Sequence, residues 1–195
     1  MEIVLLASAS PRRAQLLQAI GVPFEMAPAD VDETPLDGEM PEPYVQRLAL
    51  AKAKAVAARH PGRLVLGADT TVTVDGEVLG KAEDEAGAHQ MLTRLAGRAH
   101  EVLTGVALVR GADSTVAFAA TRVWFSPMTS EDIQGYVASG EWRDKAGAYA
   151  IQGRISRFVA GLDGSYTNVV GLPVALAWDL LMRYPEGRGA GRSQP

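Results

Sequence analysis

Apolar and polar positions along this chain fall into short blocks whose period changes repeatedly. Residues 2–7 (EIVLLA) form a nearly continuous apolar run, the pattern of a buried strand. A helix is predicted over residues 11–20, with Gly21 as its stop signal. Residues 24–28 suit a short strand, and Asp30-Val31-Asp32-Glu33-Thr34-Pro35 reads as an acidic loop. Residues 43–59 predict a long helix in which Leu48 and Leu50 stand among many alanines. Residues 63–68 (RLVLGA) predict a second buried strand, and residues 70–74 and 77–79 flank Asp75-Gly76, a hairpin turn signal. A helix over 84–95 is closed by Gly97, and residues 99–110 and 114–126 read as one long antiparallel pair. Thr129-Ser130-Glu131-Asp132 opens a helix that runs to about Ser139, with a capping signature. The last helix is predicted over 172–184, with Pro173 near its first position.

Strands and helices are therefore interleaved, while the hairpins exclude a purely parallel sheet. That combination predicts a mixed α/β fold. At 195 residues the chain suffices for one sizeable domain, or two tightly joined lobes, over residues 1–184. The Gly-, Arg- and Pro-rich segment 185–195 reads as a flexible tail.

The stretch LLASASPRRAQLL, residues 5–17, breaks a local rule. Ser10 sits where an N-cap belongs and Pro11 where the first helical residue belongs. Arg12 and Arg13 would then lie in the first helical turn, where the helix dipole disfavours cations by about 0.3–1 kcal/mol each. Such conflicts tend to mark functional sites. A strand-to-helix turn presents backbone N–H groups, and Ser8 and Ser10 add hydroxyls, so an anion can dock there. With a phosphate bound, Arg12 and Arg13 become its counter-charges. A capped helix with two solvated arginines is the plainer alternative.

A second candidate is LVLGADTTVTVDGEVLGKAED, residues 64–84. On the pattern alone the strand ends at Gly67 and Asp69 follows, so Asp69 is placed at a strand's carboxyl end, where α/β proteins bind ligands. A carboxylate there can hold a hard cation or orient water, with Lys81 folding back towards it after the hairpin. It can equally be a turn residue, and Lys81 a solvated one. The acidic loop offers Asp30, Asp32 and Glu33. Lys52 and Lys54 lie on different faces of their helix, so one of them can face a cleft. DKAGAYAIQG (144–153) is rich in small residues, which let a flat ligand approach, and Gln152 supplies a donor and an acceptor for a base edge. GSYTNVVGLP (164–173) offers Tyr166 and Asn168 to a pocket wall.

Charge and composition narrow the classes. A net charge of −4 implies no general affinity for nucleic acid or anionic membrane. The chain has no cysteine, so thiolate metal sites and disulfides are excluded, which suits a reducing cytoplasm. The first apolar run is too short for a membrane span and its flank is acidic, so a soluble intracellular protein without a signal peptide is expected. His60, His89 and His100 lack metal-ligand spacing. No Walker lysine motif, GxGxxG fingerprint or GxSxG elbow occurs.

Taken together, SASPRR (8–13), GADT (67–70), LGK (79–81), DKAGAYAIQG and GSYTNVVGLP resemble Maf proteins over about residues 3–184. That resemblance implies an ITPase-like fold: an elongated mixed sheet flanked by helices, two lobes and a nucleotide in the cleft between them. It implies a nucleoside triphosphate pyrophosphatase that uses a divalent cation, Mg or Mn, often as a homodimer. The complete DKAGAYAIQG stretch resembles the dTTP/UTP subgroup. The resemblance puts Asp69 at the catalytic acidic position, Arg12, Thr70 and Gln152 at positions of base selectivity, and Glu33, Lys52 and Lys81 at other polar cleft positions. With the reading above, Ser8, Ser10, Arg13, Lys52 and Lys81 are the phosphate ligands and Asp69 and Glu33 the metal donors. Specificity for 7-methyl-GTP or a modified nucleotide, and a nucleotide-binding role in cell division, are the alternatives. Two departures stand out: Ala82 where the family often has proline, and Arg154-Ile155-Ser156-Arg157 in place of a Leu-Gly-Gly-like stretch.

Overall fold

In the computed structural model, residues 2–184 are described. The expected tail, 185–195, lies outside the described residues. The chain runs through Val4–Leu6 (β1), Pro11–Ala19 (α1), Phe24–Met26 (β2), Pro41–Arg59 (α2), Val65–Val74 (β3), Glu77–Leu79 (β4) and Glu85–Leu95 (α3). It continues through Ala99–Arg110 (β5), Asp113–Phe125 (β6), Ser130–Ala138 (α4), Val159–Asp163 (β7), Tyr166–Val170 (α5) and Val174–Arg183 (α6). The sheet has the order β2-β1-β3-β5-β6-β7, with β4 beside β3. β1 pairs in parallel with β2 and β3, and the remaining pairings are antiparallel. The fold is thus the mixed α/β sheet with flanking helices that the interleaved pattern predicts.

Period two along the strands sorts the core onto two faces. Leu5, Ala7, Val65, Ala107 and Val109 pack against Ala49, Ala53 and Val56 of α2. Val4, Leu6, Leu66, Ala68, Val106 and Leu108 pack on the opposite face against Leu17 of α1 and Ala177 and Leu181 of α6. Further along the sheet, Val72, Val102, Val123 and Phe125 lie under Leu92 of α3 and Ile133 and Tyr136 of α4. α2 sits unusually close to the sheet because two strand positions lack a side chain. A Cβ on Gly67 would run into the carbonyl oxygen of Ala49, and one on Gly105 into that of Val45.

Two local readings are corrected and one unread strand is added. Residues 63–68 and 70–74, read as two strands, form the single ten-residue β3, with Asp69 in its interior rather than beyond its end. Cross-strand pairing decides this: Gly67, Asp69 and Thr70 face Ala107, Gly105 and Thr104 of β5 in an unbroken ladder. The last helix starts at Val174, with Pro173 as its cap residue, while Tyr166–Val170 is a separate short helix ended by Gly171 at φ 127°. β7, which has no alternation in Val-Ala-Gly-Leu-Asp, exists because it pairs with β6.

One edge of β3 is interrupted. β1 accompanies it only through Leu5↔Val65 and Leu6↔Leu66, and β4 joins it at Val72↔Leu79. Between them, residues 67–71 have no strand neighbour on that side. The chain leaves β1 there and turns into α1.

Candidate active site

That gap opens into a cleft of about 1090 Å³, and all ten site residues expected from the sequence border it. The site does lie at a strand's carboxyl end, but the strand is β1. Because successive residues of β3 point to opposite faces, Asp69 reaches towards α2 and Thr70 towards α1 and α5.

On the α1 side, the paired arginines find their partners at another helix's end. Ser10 caps α1, its hydroxyl accepting from Arg13 N. Arg13 Nε donates to Gly171 O at 2.8 Å, Nη1 to Ser8 Oγ at 3.1 Å and Nη2 to Thr70 Oγ1 at 3.1 Å. Arg12 Nε donates to Val170 O at 3.3 Å. The carboxyl end of α5 carries unpaired carbonyls and partial negative charge, which favours these cations. The apparent conflict in the first turn of α1 is therefore resolved within the protein, before any anion arrives. Burial lowers both guanidinium pKa values from the ordinary one, with Asp144 opposing this at Arg12 and Asp69 at Arg13. Ser8 Oγ also accepts from Ser10 N at 3.1 Å, which uses its lone pairs and leaves its proton for a ligand. Thr70 Oγ1 is bonded to Thr104 Oγ1 as well, at 2.9 Å.

On the α2 side, four charges form a chain. Lys52 Nζ lies 2.5 Å from Asp69 Oδ1 and 2.6 Å from Glu33 Oε1, and Lys81 Nζ lies 3.2 Å from Glu33 Oε2. Lys52 and Asp69 are buried, so each needs the other: an unpaired ion in that position would be costly to desolvate. Lys54, two residues on, is exposed. Burial acts to raise the Glu33 carboxyl, but Lys52 and then Lys81 outweigh it and hold it below the usual range.

The far wall joins LGK to DKAGAYAIQG. Lys81 and Ala146 form an antiparallel bridge, and Gly147 N donates to Leu79 O and Gly80 O. Gly147 has φ 64°, and a Cβ there would come within 2.9 Å of the Val72 side chain. Gln152 is exposed on this wall, and its side-chain amide has no hydrogen-bond partner among the described residues. Behind the wall, the Tyr149 hydroxyl lies 2.8 Å from His100 Nε2, and both rings meet Phe125 edge-on.

Burial pushes His100 from the usual 6.5 down to about 4. The folded chain thus keeps this imidazole neutral, while the unfolded chain protonates it below about 6.5. The penalty is absent above pH 6.5, grows as pH falls and is complete near 4. Folding stability is expected to drop by up to about 3 kcal/mol across that window. Urea midpoints measured from pH 7 to 4 check this, and His100→Gln should flatten the segment. An equal slope in both proteins would remove His100 as its cause.

The family model described as Maf-like protein matches residues 3–184. The chain belongs to the Maf family. It is 53% identical over 184 residues to a dTTP/UTP pyrophosphatase of Symbiobacterium thermophilum, covering 94% of this chain and 95% of that one. It is 52% identical over 181 residues to a dTTP/UTP pyrophosphatase of Myxococcus xanthus, covering 93% and 92%. Among solved structures, the Ham1 protein of Staphylococcus aureus is 17% identical, with a TM-score of 0.48 over 64% of this chain and 72% of that one.

The two departures from the Maf pattern, Ala82 and residues 154–157, do not line the cleft but follow residues that do, Lys81 and Gln152. Arg154–Phe158 forms a 3-10 helix with Ile155 fully buried, and Arg154 N donates to Glu141 Oε2 at 2.8 Å. Tyr166 and Asn168 do not border the cleft. Asn168 is fully buried, donating from Nδ2 to Val102 O and Thr121 Oγ1 at 2.9 Å each, and so fastens α5 to the sheet. Other polar residues that border the cleft were not singled out along the sequence, among them Tyr44, Glu83, Asp144 and Lys145. Burial and then Arg12 lower the Lys145 pKa. The position of Lys145 inside DKAGAY was the one available signal; Tyr44 carries none, since an aromatic on an apolar helix reads as core. Among the described residues, no helix is long and apolar enough to cross a membrane.

Proposed function

We propose that this chain hydrolyses dTTP and UTP to the nucleoside monophosphate and pyrophosphate. The observation that carries this reading is the convergence in one cleft of an anion-binding side, Ser8, Ser10, Arg12 and Arg13, with the Lys81–Glu33–Lys52–Asp69 charge chain. Half-identity to dTTP/UTP pyrophosphatases over more than nine tenths of the chain supports the substrate class.

Asp69 Oδ1 is engaged by Lys52, whereas Oδ2 has no hydrogen-bond partner among the described residues. We assign Oδ2 to the attacking water. The water oxygen bonds to the α-phosphorus, its proton passes to Asp69, and the bond from that phosphorus to the α,β-bridging oxygen breaks. The electron pair leaves on pyrophosphate, where Arg12, Arg13, Lys52 and Lys81 offset the developing charge. The Asp69 and Glu33 carboxylates both meet the Lys52 ammonium, which fills the point between them, so a metal ion would be held beside it by the oxygens that Lys52 does not engage, Asp69 Oδ2 and Glu33 Oε2. Among the described residues no group of three or more His, Cys, Asp or Glu forms a complete cage. Two carboxylates fit a Mg or Mn ion that takes the rest of its shell from phosphate oxygens and water. Such an ion supplies further neutralisation of the phosphates when bound.

Release of pyrophosphate, not orthophosphate, from dTTP and UTP tests the reading, with activity expected to vanish in excess chelator. Stepwise orthophosphate release would overturn it. Selectivity is assigned to Gln152, whose unpartnered amide matches the O4 and N3–H edge of uracil or thymine. Cytosine presents the opposite pattern, which a flipped amide partly accommodates. Gln152→Ala is expected to narrow the kcat/KM ratio of dTTP to CTP by about tenfold, one hydrogen bond's worth. An unchanged ratio would move selectivity to Arg12, or to Thr70 acting through Arg13.

A further inference from the structure

Glu33 poses a positional problem. It belongs to a stretch without helix or strand, residues 27–40, and its carboxylate is 40% exposed. A side chain on irregular backbone must be held from outside if it is to meet Lys52 and Lys81 in one geometry. We propose that Tyr44 and Arg47 are the positioning residues that do this: from the first turns of α2 they clamp the segment carrying Glu33 and set it against Lys52. This inference rests on the pyrophosphatase reading above.

The clamp grips the backbone of Glu33 and of its neighbour. Tyr44 Oη donates to Glu33 O at 2.9 Å, and Arg47 Nη2 donates to Thr34 O at 3.2 Å. Arg47 also forms a two-pronged pair with Glu39, Nε to Oε1 and Nη2 to Oε2, both at 2.6 Å. Glu39 Oε2 in turn accepts from Leu36 N at 3.0 Å, and Asp32 Oδ1 accepts from Thr34 N at 2.9 Å. A bidentate guanidinium–carboxylate pair fixes orientation as well as distance. The Arg47 guanidinium lies 5.6 Å from the centroid of the Tyr44 ring, so the two side chains act as one unit. Lys52 stands on the same helix, two turns further on. One rigid element therefore presents Lys52 and also places the carboxylate that Lys52 meets. Small misplacements of a catalytic constellation are costly, of order 100-fold for about 1 Å.

Tyr44 borders the cleft, so direct contact with substrate is the rival explanation, and a general effect on folding is another. A double-mutant cycle separates all three. Tyr44→Phe keeps the ring and removes only the hydroxyl, and Glu39→Gln weakens the Arg47 clamp far from the reacting atoms. Each is expected to lower kcat for pyrophosphate release from dTTP about 10- to 100-fold, with KM changed less than about twofold. In a Glu33→Gln background the same substitutions should cost nothing more, because their effect passes through Glu33. Amide exchange within residues 31–40 should quicken in Glu39→Gln while the urea midpoint stays near that of the unsubstituted protein. Equal losses in both backgrounds, a rise in KM in place of a fall in kcat, or full activity in both variants would each overturn the proposal. Failure of the unsubstituted protein to release pyrophosphate from dTTP and UTP would instead overturn the reading on which it rests.

Discussion

Asp69→Asn is expected to lower kcat for pyrophosphate release by about 100-fold or more, the lower range for loss of a positioned proton acceptor, in a protein that remains folded. The substitution keeps the shape of a side chain buried in the interior of β3 and removes its charge. Lys52 then loses one of two carboxylate partners but keeps Glu33 at 2.6 Å, so it is not left as an isolated buried ion. A moderate loss of stability is acceptable on this account. The amide cannot take a proton from water at Oδ2 and is a poorer donor to a hard cation. Saturating-substrate rates with dTTP, paired with a circular-dichroism melt, decide the matter. A folded Asp69→Asn protein with near-normal turnover would take Asp69 out of the reaction.

The second large effect is expected at a position that has no side chain, across the ladder from Asp69. Gly105→Ala would set a methyl group against the carbonyl of Val45 and the amide of Gln46, backbone atoms of α2 that cannot rotate aside. Overpacking of this kind costs about 1–3 kcal/mol and occasionally more. To make room, α2 must lift from β5, and α2 carries Lys52. Activity should therefore fall together with stability, although Gly105 does not line the cleft. Gly135→Ala is the control. Gly135 lies within α4 with open space around its Cα, so an alanine there should stabilise by about 0.5–1 kcal/mol. Urea midpoints and kcat for the two variants make the comparison. If Gly105→Ala matched the unsubstituted protein in both, the close approach of α2 would not be what sets the distance from Lys52 to Asp69.

These two sites differ in how visible they are along the chain. The mixed α/β character was legible because periods of two and 3.6 alternate, and because Asp75-Gly76 marks a hairpin that a parallel sheet cannot contain. Ser10-Pro11 marked the start of α1, since capping chemistry is local. The lining of the cleft was legible as well: Arg12, Arg13, Glu33, Lys52, Asp69, Lys81 and Gln152 are polar residues in motifs that local structure does not need, and all of them border one cleft.

What lay beyond reach depended on residues distant in sequence. The unbroken course of β3 through Gly67 and Asp69 is set by its ladder with β5, about 36 residues later, so no local signal reports it. For the same reason Asp69 was placed beyond a strand end: where β1 leaves the edge of β3 is a property of the sheet. Arg12 and Arg13 read as an unmet electrostatic cost until α5, 158 residues further along, presents its terminal carbonyls to them. The close approach of α2 to Gly67 and Gly105 has no signal in the strand pattern. Periodicity and capping follow from bonds between near neighbours and are written in the order of residues. The pairing of edges, the meeting of helix ends and the closeness of layers follow from contacts between distant ones, and only the folded chain decides those.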